Sequence, residues 1–251
     1  MAIDLAKMKA KLDALRNKGN STFWRPQDGD QTIRIITPED GDPFKEKWFH
    51  YNLGSSGFLC PKRNFGDECP VCDFASSLWK ESSHSDDKEG MKVAKSLFTR
   101  QRFFSPVLVR GEEDQGVRVW GYGKTAYEIL LNLVLNPEYG DITDLEEGTD
   151  LTLNYGKPAG ASFPQTKLTP RRRTSPLCDE ALGGEDKCAE LMESIPDFDS
   201  LFDRKSTGDV RSILDEYLSS EDTEGEAEVV KYDGNKSTSA VDQAFDQLMN
   251  A

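Results

Sequence analysis

Apolar positions along the chain change their period twice. Residues 3–18 place Leu5, Met8, Leu12 and Leu15 on one helical stripe that stops at Gly19, which predicts a short amphipathic helix. From Trp24 onward the pattern becomes that of strands. Gln31-Thr32-Ile33-Arg34-Ile35-Ile36 is the first, closed by Pro38 and a Gly41-Asp42-Pro43 turn, and residues 44–53 form a second. Residues 54–70 read as a loop rich in Gly and Cys, residues 71–78 as a helix and residues 80–90 as a polar loop. Residues 102–110 and 117–122 predict a hairpin across the Gly111 and Gly116 turn, followed by a helix over 125–135 and short strands at 151–155 and 165–169. Such strands with helices between them predict an α+β chain, mainly β, whose core (residues 20–178) is an OB-fold-type Greek-key barrel. Weak helical segments near 187–194 and 209–218 make residues 179–218 a helical linker. Residues 219–251 form an acidic tail whose stretch to residue 240 is too polar to fold alone.

Composition narrows the class. Of 251 residues, 36% are hydrophobic and 30% charged, so a core is expected over only part of the length. The richest apolar run, residues 129–135, is interrupted by Asn132 and is far too short to cross a membrane. The N-terminus alternates charge with apolar residues, unlike a signal peptide. Five cysteines, three of them clustered near a histidine, suit a metal site in a reducing compartment better than a disulfide framework, and the chain reads as cytoplasmic.

The net charge of −14 is unevenly spread. Residues 179–251 hold 20 acidic and only 6 basic groups, whereas residues 1–18 hold five basic and two acidic. Two windows, 91–110 and 155–177, contain five Lys or Arg each and no acid. A charge run is commonly just a solvated face. Here aromatic residues are interleaved with it, as a groove that tracks phosphates and stacks bases requires.

His50, Cys60, Cys69 and Cys72 form the strongest chemical signal. Cys69-Pro70-Val71-Cys72 wraps the backbone around one ion, and His50 and Cys60 complete a four-ligand set suited to zinc. Four protein ligands leave no open position, so the expected zinc is structural. His84 reads as a surface residue, and Cys178 and Cys188, lacking partners at ligand spacing, as ordinary thiols.

The order His50, Cys60, Cys69-Pro70-Val71-Cys72 after two strands resembles the single-stranded DNA-binding (helix-destabilising) proteins of T-even-like bacteriophages. The flanking Ile33-Arg34 strand, the basic-aromatic strand around residues 100–109 and Gly123-Lys124-Thr125-Ala126-Tyr127 agree with it over residues 20–178. The resemblance implies an OB-fold core with a zinc subdomain at about 48–98 and cooperative coating of DNA in replication, recombination and repair. It also implies a basic arm (residues 1–19) that contacts a neighbouring protomer. The family's compact basic-Ser/Thr run does not lie in this arm, where Lys7, Lys9, Lys11, Arg16 and Lys18 are dispersed. Its counterpart here, Arg171-Arg172-Arg173-Thr174-Ser175, closes the core.

The residues expected to meet DNA are Arg34, Arg100, Arg102, Phe103, Phe104, Arg118, Trp120, Tyr122, Lys124, Tyr155, Lys157, Arg171, Arg172 and Arg173. Phe103 and Phe104 are adjacent in a strand, so only one is expected to stack while the other enters the core. The terminal apolar stripe Val241, Phe245, Leu248 and Met249 predicts a peptide that docks replication and recombination proteins. No catalytic triad or phosphate-binding glycine loop appears, so no enzyme is expected. The alternatives are a zinc-stabilised protein adaptor or an RNA-binding regulator. The expected setting is the cytoplasm of an infected bacterial host.

Overall fold

A computed structural model describes residues 22–53, 57–180 and 183–223. The predicted N-terminal helix and the terminal apolar stripe lie outside the described residues, as does most of the acidic tail. Two units make up the chain: residues up to 46 with 102–198, and residues 47–101 with those from 199 onward.

The first unit is built on a sheet. Its strands are β1 (Phe23–Trp24), β2 (Gly29–Ile35), β5 (Arg100–Val109), β6 (Arg118–Tyr122), β7 (Leu151–Gly156) and β8 (Gln165–Pro170). Their order is β1-β6-β5-β2-β7-β8, antiparallel throughout except for the parallel β1-β6 pair. The mixed α+β class and the β5-β6 hairpin follow the sequence pattern. The register aligns Phe103 with Tyr122 and Ser105 with Trp120, which fixes one face of this hairpin. That face packs with Ile33, Ile35, Leu151 and Leu153, and the helix α4 (Lys124–Val134) adds Ala126, Leu130 and Leu133. The opposite face is covered as well: Ile36, Leu108 and Val117 meet Leu177 and Leu191, the latter from helix α5 (Gly184–Glu193).

Two departures from expectation appear in this unit. Phe103 and Phe104 are both buried: Phe103 enters the first core, and Phe104 meets the Phe23 ring of β1 at 6.3 Å. Cys178 and Cys188 are joined in a disulfide, with Cα atoms 5.7 Å apart, rather than standing as separate thiols. The bond ties α5 to the segment that leaves β8.

The second unit holds β4 (Phe58–Leu59) antiparallel to β3 (Lys45–His50). Three helices follow: α1 (Pro61–Phe65), α2 (Pro70–His84) and α3 (Lys88–Leu97). Residues 80–90, expected as a loop, are mostly helical. Only Ser85 to Asp87 break the run, and Asp87 caps α3 by accepting from the amides of Glu89 and Gly90. Val71, Phe74, Ala75 and Leu78 of α2 pack with Ala94 and Leu97 of α3. The last helix, α6 (Thr207–Thr223), belongs to this same core: its Val210, Leu214 and Leu218 are buried in it. Among the described residues no helix is long and apolar enough to cross a membrane.

Candidate functional site

Short-range geometry builds the metal centre. His50 ends β3 opposite Phe58, and Cys60 follows β4 immediately. Both Cys60 and Cys69 are helix N-caps, each followed by a proline that fits the first helical position because its missing amide has no partner to lose there. Gly66 ends α1 with φ of 80°, a left-handed conformation natural to glycine, and turns the chain back toward Cys69. Cys72 lies in the first turn of α2, close to Cys69.

The four ligand atoms lie within 4.8 Å of one another. His50 Nε2 is 3.3 Å from Cys69 Sγ and 3.4 Å from Cys72 Sγ, and the sulfurs of Cys60 and Cys72 are 3.5 Å apart. His50 Nδ1 donates to the Leu97 carbonyl at 2.9 Å, which fixes the tautomer and leaves Nε2 free as a ligand. His50, Cys60 and Cys69 are buried.

The electrostatics say what this donor set lacks. Burial alone lowers the His50 pKa, but hydrogen bonds to Cys60 and Cys69 outweigh it and raise the pKa to about 9. Hydrogen bonds from Cys69 and Cys72 draw the Cys60 thiol down, while those to Cys60 and Cys69 push Cys72 up. Three sulfurs this close cannot all ionise beside each other unless a cation sits among them. Four soft or borderline donors in one buried cluster therefore fit a single metal ion with no position left open.

Residues 199–218 brace this loop from within the same unit. Arg204 pairs with Asp67 at 2.6 Å and lies over the Phe65 ring at 4.4 Å. Thr207 Oγ1 donates to the Glu68 carbonyl at 3.2 Å, one residue before the ligand Cys69.

The residues expected to meet DNA separate into two groups. Arg100, Arg102, Lys124, Lys157, Arg171, Arg172 and Arg173 are exposed, and Tyr155 is half-buried. Trp120, by contrast, is 1% exposed and packs against Tyr122 at 4.3 Å and Trp24 at 6.3 Å. Phe103 stacks on Tyr127 at 3.8 Å, and the Tyr122 hydroxyl bonds Ser105 at 2.7 Å. In this conformation Phe103, Phe104, Trp120 and Tyr122 present no face to a base; they are the core.

Two of the arginines are buried as well. Arg118 is buried and bonded to Glu112 at 2.5 Å and Gln115 at 2.9 Å. Arg34, fully buried, donates to Asp150 Oδ1 at 2.9 Å and to the carbonyls of Asp144, Gly148 and Ser175. Its partners lie more than a hundred residues away, so the alternating Ile-Arg pattern gave no sign of them.

One exposed aromatic escaped the sequence reading. Phe163 is 79% exposed in the loop between β7 and β8, in a stretch that also carries Lys157 and Lys167. The signal available was an aromatic beside Pro164 in an acid-free window.

A family model described as "gp32 DNA binding protein like" matches residues 27–216. No curated relative matches the chain.

Proposed function

Because the chain belongs to the gp32-like DNA-binding protein family, we propose that it coats single-stranded DNA during phage replication, recombination and repair. The observation that carries this is the extent of the family match, which takes in both the His50-Cys72 quartet and the exposed basic segments. Cooperative coating through the basic arm, recruitment of replication proteins by the acidic tail, and action in the cytoplasm of an infected bacterium belong to the same reading. A reducing cytoplasm acts against the Cys178–Cys188 bond. We assign the chain no catalytic step.

Binding rests on two physical contributions. Exposed Arg100, Arg102, Lys124 and Lys157 neutralise phosphates and release counterions, which makes affinity salt-dependent. Stacking of bases falls to aromatic residues that reach solvent, Phe163 first and Tyr155 second, in place of the buried Trp120 and Tyr122. The metal is zinc in this reading, held by His50, Cys60, Cys69 and Cys72 as a brace for the fold with no part in chemistry.

Fluorescence anisotropy of labelled oligo-dT, oligo-U and duplex DNA across a salt series tests the assignment. Tight oligo-dT binding that weakens with salt, with duplex bound far more weakly, is expected. Equal affinity for duplex and single strand, or preference for oligo-U, would overturn it.

A further inference from the structure

After β8 ends at Pro170, three consecutive arginines enter solvent, and the chain around them is pinned at both ends to a buried polar floor. The Arg171 amide donates to the Asp150 carbonyl at 2.9 Å, and the Ser175 amide to the Gly148 carbonyl at 3.0 Å. Arg34 Nη2 holds Ser175 twice, through its carbonyl at 2.6 Å and its hydroxyl at 2.8 Å. Arg110 holds the next two carbonyls, Pro176 at 2.9 Å and Leu177 at 2.7 Å. Between these pins Arg171, Arg172 and Arg173 are exposed, and no ion pair engages them among the described residues.

The floor is held together by charge within the protein. Two guanidiniums, Arg34 and Arg110, share one buried carboxylate, Asp150, at 2.9 and 3.1 Å. Burial lowers the Arg34 pKa, reinforced by Arg110 and opposed by Asp150 and Asp144. Above this paired floor the loop adds three cations, around a recess of about 500 Å³ lined by Asp150 and residues 171–175. Three adjacent exposed arginines concentrate positive charge that a phosphate can meet.

We propose that residues 171–175 form a preorganised phosphate site, positioned by the Arg34–Asp150–Arg110 network, that grips the backbone of the bound single strand. The proposal rests on the single-stranded DNA reading above. Guanidinium forks match phosphate oxygens in pairs, and a loop fixed in advance loses little entropy on binding. The placement suits a strand laid along β8. Phe163 lies before it, Lys167 is exposed midway and Arg171 follows it. Six residues at ~3.3 Å each separate the two ends by about 20 Å. Arg34 and Arg110 thus act as positioning residues and touch no DNA.

The test uses the full chain and labelled oligo-dT over a salt series. In R171A/R172A/R173A, affinity is expected to fall and the slope of log affinity against log salt to shrink by about 2, at ~0.7 per lost phosphate contact. Thermal unfolding should stay where it is in the parent, since the three side chains are exposed. Ser175→Ala removes a pin but no charge, so about a threefold loss of affinity with an unchanged slope is expected. A purely structural role for Ser175 would lower stability without that loss. An unchanged slope and affinity in the triple variant, with a parent that binds, overturns the site and leaves the DNA reading intact. A triple variant that binds more tightly also overturns it, by showing that the loop holds an acidic segment of the chain itself. A parent that fails to bind oligo-dT overturns the DNA reading and the site together.

Discussion

In the sheet unit, buried charge is met by protein: Arg34 and Arg110 converge on Asp150, and backbone carbonyls take their remaining donors. In the other unit, His50 and three cysteines are gathered in a buried cluster with chiefly one another as partners, and the three sulfurs can be thiolates together only around a cation from outside the chain. The first arrangement is complete once the polypeptide has folded. The second is complete only with a cation. The two units should therefore answer to different chemical insults, even though each is organised around a buried polar centre.

Metal removal is the strongest way to break this contrast. Structural zinc sites contribute on the order of 10 kcal/mol to folding. Stripping the ion with a chelator, or replacing Cys72 with Ser, should melt the unit of residues 47–101 and 199 onward while the sheet unit keeps its own unfolding transition. Calorimetry with elemental analysis reads both, and an unshifted trace after complete metal loss would refute the closed quartet.

Asp150→Asn is the matching insult to the sheet unit. It leaves the buried Arg34 and the half-buried Arg110 without their carboxylate and should cost about 3–5 kcal/mol. Urea denaturation should register this with metal content still one per chain. A variant that also loses metal would show that the two centres are not independent.

Phe163→Ala sharpens the division between stability and binding. About 1–3 kcal/mol of oligo-dT affinity should go, as for one stacked base, with no change in unfolding. Trp120→Ala should do the reverse. If Trp120→Ala weakens binding in a fully stable chain, the core opens on DNA and the assignment of stacking to Phe163 is wrong.

The smallest effect is expected at Arg204. Its pair with Asp67 is largely exposed, so Arg204→Ala should cost less than about 1 kcal/mol. Hydrogen exchange along α6 is the sensitive measurement. Faster exchange confined to α6 is the expected result; uniform protection would show that residues 199–206 do not brace it.

What the sequence made legible was local. The ligand quartet was readable because residue type and spacing are themselves the chemistry, and the β5-β6 hairpin because Gly111 and Gly116 mark its turn. What it hid depended on distant partners. An alternating strand looks the same whether its second face meets water or protein, so neither the burial of Phe104 beside Phe23 nor that of Leu108 with Leu177 and Leu191 could be read there. Arg34 shows no difference in sequence from a phosphate-binding arginine until Asp150 is placed beside it. The disulfide likewise needed the fold that lays α5 against the segment after β8. Helix α6 was legible as a helix, but its membership of the metal unit's core was not.

That membership has a consequence for the order of synthesis. The last ligand, Cys72, leaves the ribosome well over a hundred residues before Leu214 and Leu218, which cover Phe74 and Leu78. At ~5–20 residues per second the gap lasts roughly 7–30 s. During that interval the nascent metal-binding segment must hold its shape with the α6 side of its core uncovered, and a bound ion is a brace that does not have to wait for α6.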